Sequence, residues 1–238
     1  MYRGKLRQLS NVPDLKYFLM KINFKLIHGI IVMFFGLLAS MASAEVRYIE
    51  NVVTVSGRID AETYSKLSDF ILNEPVSTIL FKDSGGGSFS VGLKIGKLIS
   101  ERKVKTIAEG ICASACAIAF LGGDIREFSS VQHDSALMFH PGFERTSQIP
   151  AEETKAVFFA WIEERTKHSF AVDFVAAMNK ITQRKGGVYF LSPFHGIALR
   201  ESTSVFFCEG SEKNISNCVG QRDTSAEKMY IVSGIESN

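Results

Sequence analysis

Two strand-like runs, Val76-Ser-Thr-Ile-Leu-Phe-Lys82 and Val104-Lys-Thr-Ile-Ala-Glu109, flank one helical segment that carries Val91, Ile95, Leu98 and Ile99 on a single side. Gly92 and Gly96 in that segment allow close packing against a neighbour. Strand, helical crossover and strand make a parallel βαβ unit, because a hairpin needs only a short turn and a parallel pair needs a crossover. Both strands of such a unit end at the same edge of the sheet, so the segments that follow them face one cleft. Asp83-Ser-Gly-Gly-Gly-Ser88 follows the first strand, and Gly110-Ile-Cys-Ala-Ser-Ala-Cys-Ala-Ile-Ala-Phe120 follows the second. This adjacency sets the class as α/β and marks the place to look for chemistry.

Ser114 falls at a strand-to-helix turn. The first N–H groups of the helix are unpaired there and carry partial positive charge. A hydroxyl at such a junction can serve as an attacking oxygen whose oxyanion is held nearby; the alternative is a plain N-cap. Three consecutive glycines let backbone approach a ligand and aim N–H groups at it. A phosphate cradle competes with that reading, but neither G-x-x-x-x-G-K-[ST] nor G-x-G-x-x-G occurs here. A turn without function is the remaining alternative. Ala136-Leu-Met-Phe-His140 is a short apolar strand stopped by Pro141-Gly142, which places His140 at a strand end like a general base; the alternative is a satisfied core histidine. His133, His168 and His195 sit in polar or helical settings, and none ends a strand.

The first 44 residues read as a leader. Lys21 and Lys25 precede the apolar run from Leu26 to Leu38, and Ala42-Ser-Ala44 has the A-x-A cleavage pattern of a secretory signal. The run is short for a membrane span of about 20 residues; a retained membrane anchor is the alternative, and Met20 is an alternative start. The leader takes six of the 27 basic and one of the 25 acidic residues, leaving 21 and 24. That balance gives no footprint for nucleic acid. All four cysteines lie in the exported part, and an even count there fits disulfides. Cys208 and Cys218 flank a polar loop and read as one bridge. Cys112 and Cys116 bracket Ser114, either bridged across the first helical turn or as small buried residues. No second ligand pair accompanies that C-x-x-x-C, so no metal site is expected.

Along the rest of the chain, Val46 to Val55 predicts one or two strands broken by Gly57, and Asp60 caps a helix with Tyr64, Leu67 and Ile71 on one face, ended by Asn73-Glu-Pro75. Arg126 to Val131 is a further strand. Ala151 to about Lys180 is a long amphipathic helical stretch, Tyr189 to Leu191 a short extended piece, Ser192-Pro193 the cap and first position of a short helix, and Ser204 to Phe207 the last strand. The polar tail after Gly220 is expected to be mobile except for Met229 to Val232.

The order strand, Asp83-Ser-Gly-Gly-Gly-Ser88, helix, strand, Gly110-x-x-Ala-Ser114-Ala, Gly122-Gly123, Arg126 and Met138-Phe-His140-Pro resembles the proteolytic subunit of the Clp protease in the ClpP/crotonase superfamily. It is most similar to exported, ClpP-like periplasmic proteins of bacteria, which share the Cys-Ala-Ser-Ala-Cys segment. The resemblance covers roughly residues 50–205. It implies a ClpP/crotonase-like fold of repeated ββα units with a protruding handle helix, organised as a leader over 1–44, a ClpP-like domain over 45–207 and a disulfide loop with polar tail over 208–238. It implies Ser114 as nucleophile, His140 as general base, the backbone N–H groups of Gly87 and Ala115 as oxyanion hole with Gly86 as neighbour, and 152–180 as the handle used in ring assembly.

The family's third triad member, an Asp, is absent: its region here is Ile181-Thr-Gln-Arg-Lys185. Asp173 lies within the handle and does not align, so Thr182, Asn179 or a backbone carbonyl is left to orient His140. The implied protein is a periplasmic serine hydrolase acting on a peptide or protein substrate, without cofactor, with self-association through 152–180 and without a cytoplasmic ATPase partner. The rival reading is a non-catalytic assembly or binding protein on the same core. A thiol hydrolase using Cys112 or Cys116, an acyl-CoA enzyme of crotonase type and a Ser-Lys peptidase fit less well, because of the oxidising compartment, the location and the presence of His140 respectively.

Overall fold

A computed structural model describes residues 44–143, 152–167 and 172–235. The leader, apart from Ala44, lies outside the described residues, as does His168. Strands β1 (Glu45–Ile49) and β2 (Val52–Ile59) form an antiparallel hairpin. Its two-residue turn has positive φ at both Glu50 and Asn51, the geometry that matches strand twist in tight hairpins. Gly57 does not end β2. It makes a bulge with φ 77°, where the ladder to β3 shifts between Ser56 and Arg58. Helix α1 (Ala61–Asn73) starts at Asp60, whose carboxylate accepts the Thr63 N–H at 3.1 Å, and buries Leu67 and Ile71.

β3 (Thr78–Gly87) is longer than its apolar run predicts. The segment read as a glycine loop continues the strand, kinked by positive φ at Asp83 and Gly86 and by a register shift against β4 between Lys82 and Ser84. Helix α2 (Phe89–Arg102) crosses to β4 (Lys105–Ala113), which pairs parallel to β3 as the βαβ reading requires. Helix α3 (Ala115–Phe120) follows Ser114. The two helices touch at backbone distance: a Cβ on Gly92 would lie 2.4 Å from the Ala115 carbonyl oxygen, and one on Gly96 would meet Ile118 O at 3.0 Å.

β4 then forks. Its first half pairs with β5 (Arg126–Phe128) and its last three residues with β6 (Ala136–Phe139), both parallel. β7 (Gly187–Leu191), β8 (Val205–Cys208) and β9 (Val219–Gln221) extend the sheet antiparallel, giving the order β1-β2-β3-β4-β6-β7-β8-β9 with β5 branching from β4. β8 is therefore not the last strand, and β5 stops at Phe128, short of Val131.

The helical stretch over 152–180 is two helices, α4 (Glu152–Arg165) and α5 (Val172–Lys180). Lys167, just past α4, has a left-handed backbone that a continuous helix does not allow. α4 is bound down on the core: Phe158, Trp161 and Ile162 are buried, the Trp161 indole N–H donates to Ile118 O at 3.0 Å, and Arg165 donates to Leu121 O at 3.0 Å. Helix α6 (Gly196–Glu201) is capped by His195, whose Nδ1 accepts the Ile197 N–H, so the cap is not Ser192.

The tail after Gly220 is held over Met229 to Val232, the stretch excepted from mobility, and also at Ala226. Ala226, Met229, Ile231 and Val232 are buried, and β10 (Gly234–Ile235) pairs with β5. Arg126 anchors it from beneath. Its guanidinium donates to the carbonyls of Tyr230 and Ile231 in the tail and of Gly123 and Arg165 in the body, at 2.6–3.0 Å. Burial lowers its pKa to about 10, so it stays charged at neutral pH. Arg126→Ala removes the guanidinium from four carbonyls, of which Gly123 O keeps a longer bond from Arg165 Nη2 at 3.3 Å, and hydrogen bonds to a charged group contribute about 1.5–3 kcal/mol each, not additively. The expected outcome is a loss of about 3 kcal/mol or more in urea unfolding, with faster amide exchange over 226–235.

Candidate active site

Ser114 occupies the junction between β4 and α3 with φ 58° and ψ −122°. A non-glycine residue rarely adopts positive φ, and such strain persists only where the surroundings over-determine it. Three constraints act here. The Ser114 N–H donates to Met138 O at 2.8 Å, its carbonyl accepts from Ile118 N at 3.0 Å, and Cys112 and Cys116 form a disulfide that spans it. The Ser114 side chain makes no cap bond to the helix; the N-cap alternative for its hydroxyl therefore falls. Its Oγ instead lies 2.7 Å from His140 Nε2.

His140 reaches that position through register. Ala113 pairs with Met138, and His140 follows directly after β6. The ring is buried and packs on Phe143 with centroids 5.0 Å apart. Burial, and secondarily the positive charge of Arg184, lower its pKa to about 4. It is thus neutral at pH 7, with a lone pair available to Ser114 if the proton sits on Nδ1. Nδ1 itself has no hydrogen-bond partner among the described residues; neither Asn179 nor Thr182 supplies one. The segment 181–185 puts Ile181 in the core and Arg184 on the wall of the cleft.

The glycine strand forms the facing wall. A Cβ on Gly86, whose φ is 90°, would lie 2.7 Å from Ser114 Cβ and 2.9 Å from Ala115 N. One on Gly87 would lie 2.2 Å from Ile59 O. Any side chain at either position must displace backbone. The Gly86 N–H is used internally, donating to Ser84 Oγ at 3.3 Å. The Ala115 N–H, at the first position of α3, has no carbonyl to meet within its own helix.

Ser114, His140 and Gly85 to Gly87 line one cleft of about 730 Å³, as both arms of the βαβ unit predict. Arg58, Phe143 and Arg184 also line it and were not singled out from the sequence. Arg184 lies in 181–185, the stretch that carries no acid. A separate cavity of about 300 Å³ beside Cys208, lined by Lys180, Phe207 and Glu212, shares no residue with this cleft. Cys208 and Cys218 form the second disulfide, and with Cys112 and Cys116 bridged there is no free cysteine among the described residues. The thiol-nucleophile reading is therefore corrected: neither sulfur flanking Ser114 carries a proton to lose.

Because His140 holds its proton less tightly folded than unfolded, the unfolded chain binds a proton first as pH falls below about 6.5, and this group withdraws stability down to about pH 4. An NMR titration of the His140 ring should therefore find a midpoint near 4. Arg184→Gln should move that midpoint upward, since the guanidinium is one of its two causes. A midpoint at 6.5 would mean a solvated ring.

No family model matches the chain, and no curated protein matches it. Solved structures do. The ClpP protease catalytic domain from Plasmodium falciparum is similar at TM-score 0.50 and 14% identity, covering 79% of this chain and 86% of that one. ClpP1 from Listeria monocytogenes gives TM-score 0.48 and 18% identity over 79% of this chain and 92% of that one. With the parallel strands, the glycine strand and the helices already described, the first likeness fixes the architecture: the chain has the ClpP/crotonase-like α/β fold.

Proposed function

We propose that this protein is an exported serine hydrolase of peptidase type that works with a Ser-His pair and a backbone oxyanion hole. The observation that carries this reading is the 2.7 Å contact between Ser114 Oγ and His140 Nε2 on a strained turn against the glycine strand. In the proposed reaction His140 Nε2 takes the Ser114 proton as Oγ attacks a substrate carbonyl. The N–H groups of Gly87 and Ala115 hold the tetrahedral oxyanion, and Gly86 keeps that wall free of side chains. His140 then returns the proton to the leaving amine, and water, deprotonated by the same ring, releases the acyl group. The two disulfides support an oxidising compartment and so the signal-peptide reading of 1–44, with the periplasm as destination. Peptides or protein segments are the substrates, no nucleic acid or cytoplasmic ATPase takes part, and self-association runs through 152–180.

An Nδ1 without a partner among the described residues favours a second reading, a binding or assembly protein on the same core. A histidine with no carboxylate to fix its tautomer and stabilise its imidazolium works slowly; replacing that carboxylate by an amide in a complete triad costs about 10⁴ in rate. The discriminating experiment is fluorophosphonate labelling of residues 45–238, disulfides intact. Expected is one adduct on Ser114, absent in Ser114→Ala and slowed at least about 100-fold in His140→Ala. The labelling rate should stay flat down to about pH 5 and fall near pH 4, because the base is competent only when neutral. A folded chain that takes no label establishes the binding reading instead.

A further inference from the structure

The two charged side chains on the described walls of the Ser114 cleft are both cations. Arg58 stands on the glycine-strand side: it pairs with Gly86 in the β2–β3 ladder and directly precedes Ile59, the partner of Gly87. Arg184 stands on the histidine side and acts electrostatically on His140. Between them lie Ser114, the glycines, the hydroxyls of Ser88 and Ser90, and the apolar Phe89, Met138 and Phe143. No Asp or Glu lines the cleft among the described residues. A cleft walled by one sign of charge focuses the opposite sign and raises its local concentration. Guanidinium groups are also the planar, two-pronged donors that match a carboxylate.

We infer that the cleft selects anionic peptides, with Arg58 and Arg184 holding carboxylates on either side of the segment presented to Ser114. This rests on reading the cleft as a peptide site and adds the substrate class. At about 730 Å³ the cleft has room for a short extended segment. Two arginines on opposite flanks of Ser114 would fix such a segment at both ends. A substrate carboxylate beside Arg184 would also offset the cation that makes the developing His140 imidazolium unfavourable. The substrate would thereby supply part of the electrostatics that 181–185 lacks. Acidic side chains and a free C-terminal carboxylate offer the same chemistry, and the test separates them.

The test reads equilibrium binding, so that it stands apart from turnover. Short peptides of one sequence, carrying an uncharged dye and Glu, Gln or Lys at the flanking positions, each with a C-terminal acid or amide, are titrated by fluorescence anisotropy into the Ser114→Ala chain. The Glu peptide should bind about tenfold tighter than the Gln peptide and the Lys peptide weakest, with the preference shrinking at high salt. An exposed ion pair contributes up to about 1 kcal/mol, roughly a fivefold change, so Arg58→Gln and Arg184→Gln should each cost about three- to fivefold against the Glu peptide alone, and Arg184→Lys, which keeps the charge but not the fork, should restore only part of it. Retention by the Glu amide assigns side-chain carboxylates; a requirement for the free acid assigns the terminus. Equal binding of Glu, Gln and Lys peptides, or no binding of any, overturns the inference even if Ser114 takes the fluorophosphonate label. Charge-selective binding with an unlabelled Ser114 overturns the hydrolase and keeps the selectivity.

Discussion

A three-residue parallel ladder, Ile111–Ala113 against Ala136–Met138, is what the site depends on. β4 spends its first half on β5 and turns to β6 only after Gly110, whose φ of 63° lets the strand change partners. From that fork follow the bond from Ser114 N–H to Met138 O, the position of His140 after the strand end, and the contact between hydroxyl and imidazole. A shift of one residue along this ladder would put His140 on the other face of its strand. The fork is braced from outside. α2 lies against α3 with no room for a Cβ at Gly92, and α4 pins α3 through Trp161. Arg126 ties the β5 branch to the tail. The packing that surrounds the site is thus the packing that sets its register.

The electrostatics of His140 run against those of a complete triad. There, a buried carboxylate holds one ring nitrogen and stabilises the imidazolium. Here Nδ1 has no such partner among the described residues, and the charge that acts on the ring, that of Arg184, is positive. Burial first, and then that positive charge, keep the ring neutral, which preserves a lone pair for Ser114 but weakens it as a base. A neutral imidazole that accepts from Ser114 must carry its proton on Nδ1, which is buried without an acceptor among the described residues, a cost of about 1–3 kcal/mol. Such a group is stabilised by whatever brings negative charge to the cleft.

The Cys112–Cys116 disulfide ties the end of β4 to the first turn of α3 across the strained Ser114. A tether at this point narrows the freedom of the turn in the folded state as well as the unfolded one. The Cys208–Cys218 bridge does the equivalent work at the far end of the sheet, closing the loop between β8 and β9. Both need an oxidising environment to persist.

The sequence alone determined the pieces whose physics is local. Strand, crossover helix and strand imply parallel pairing, so Asp83–Ser88 and Ser114 had to share an edge; Asp60 had to cap α1; small residues at 92 and 96 had to mean close helix contact. Cys208 and Cys218 could be paired because nine residues of polar loop return the chain to itself. The tertiary structure decided what depends on distant partners. It made the glycine segment a strand, since β2 and β4 lie on both sides to pair with it. It broke 152–180 into two helices and drew the polar tail onto Arg126, through contacts more than 100 residues apart in the chain. It brought Arg58 and Arg184, which have no signature of their own in the sequence, to the two sides of Ser114. A charge becomes part of a site only through what the fold sets beside it, and linear spacing does not carry that information.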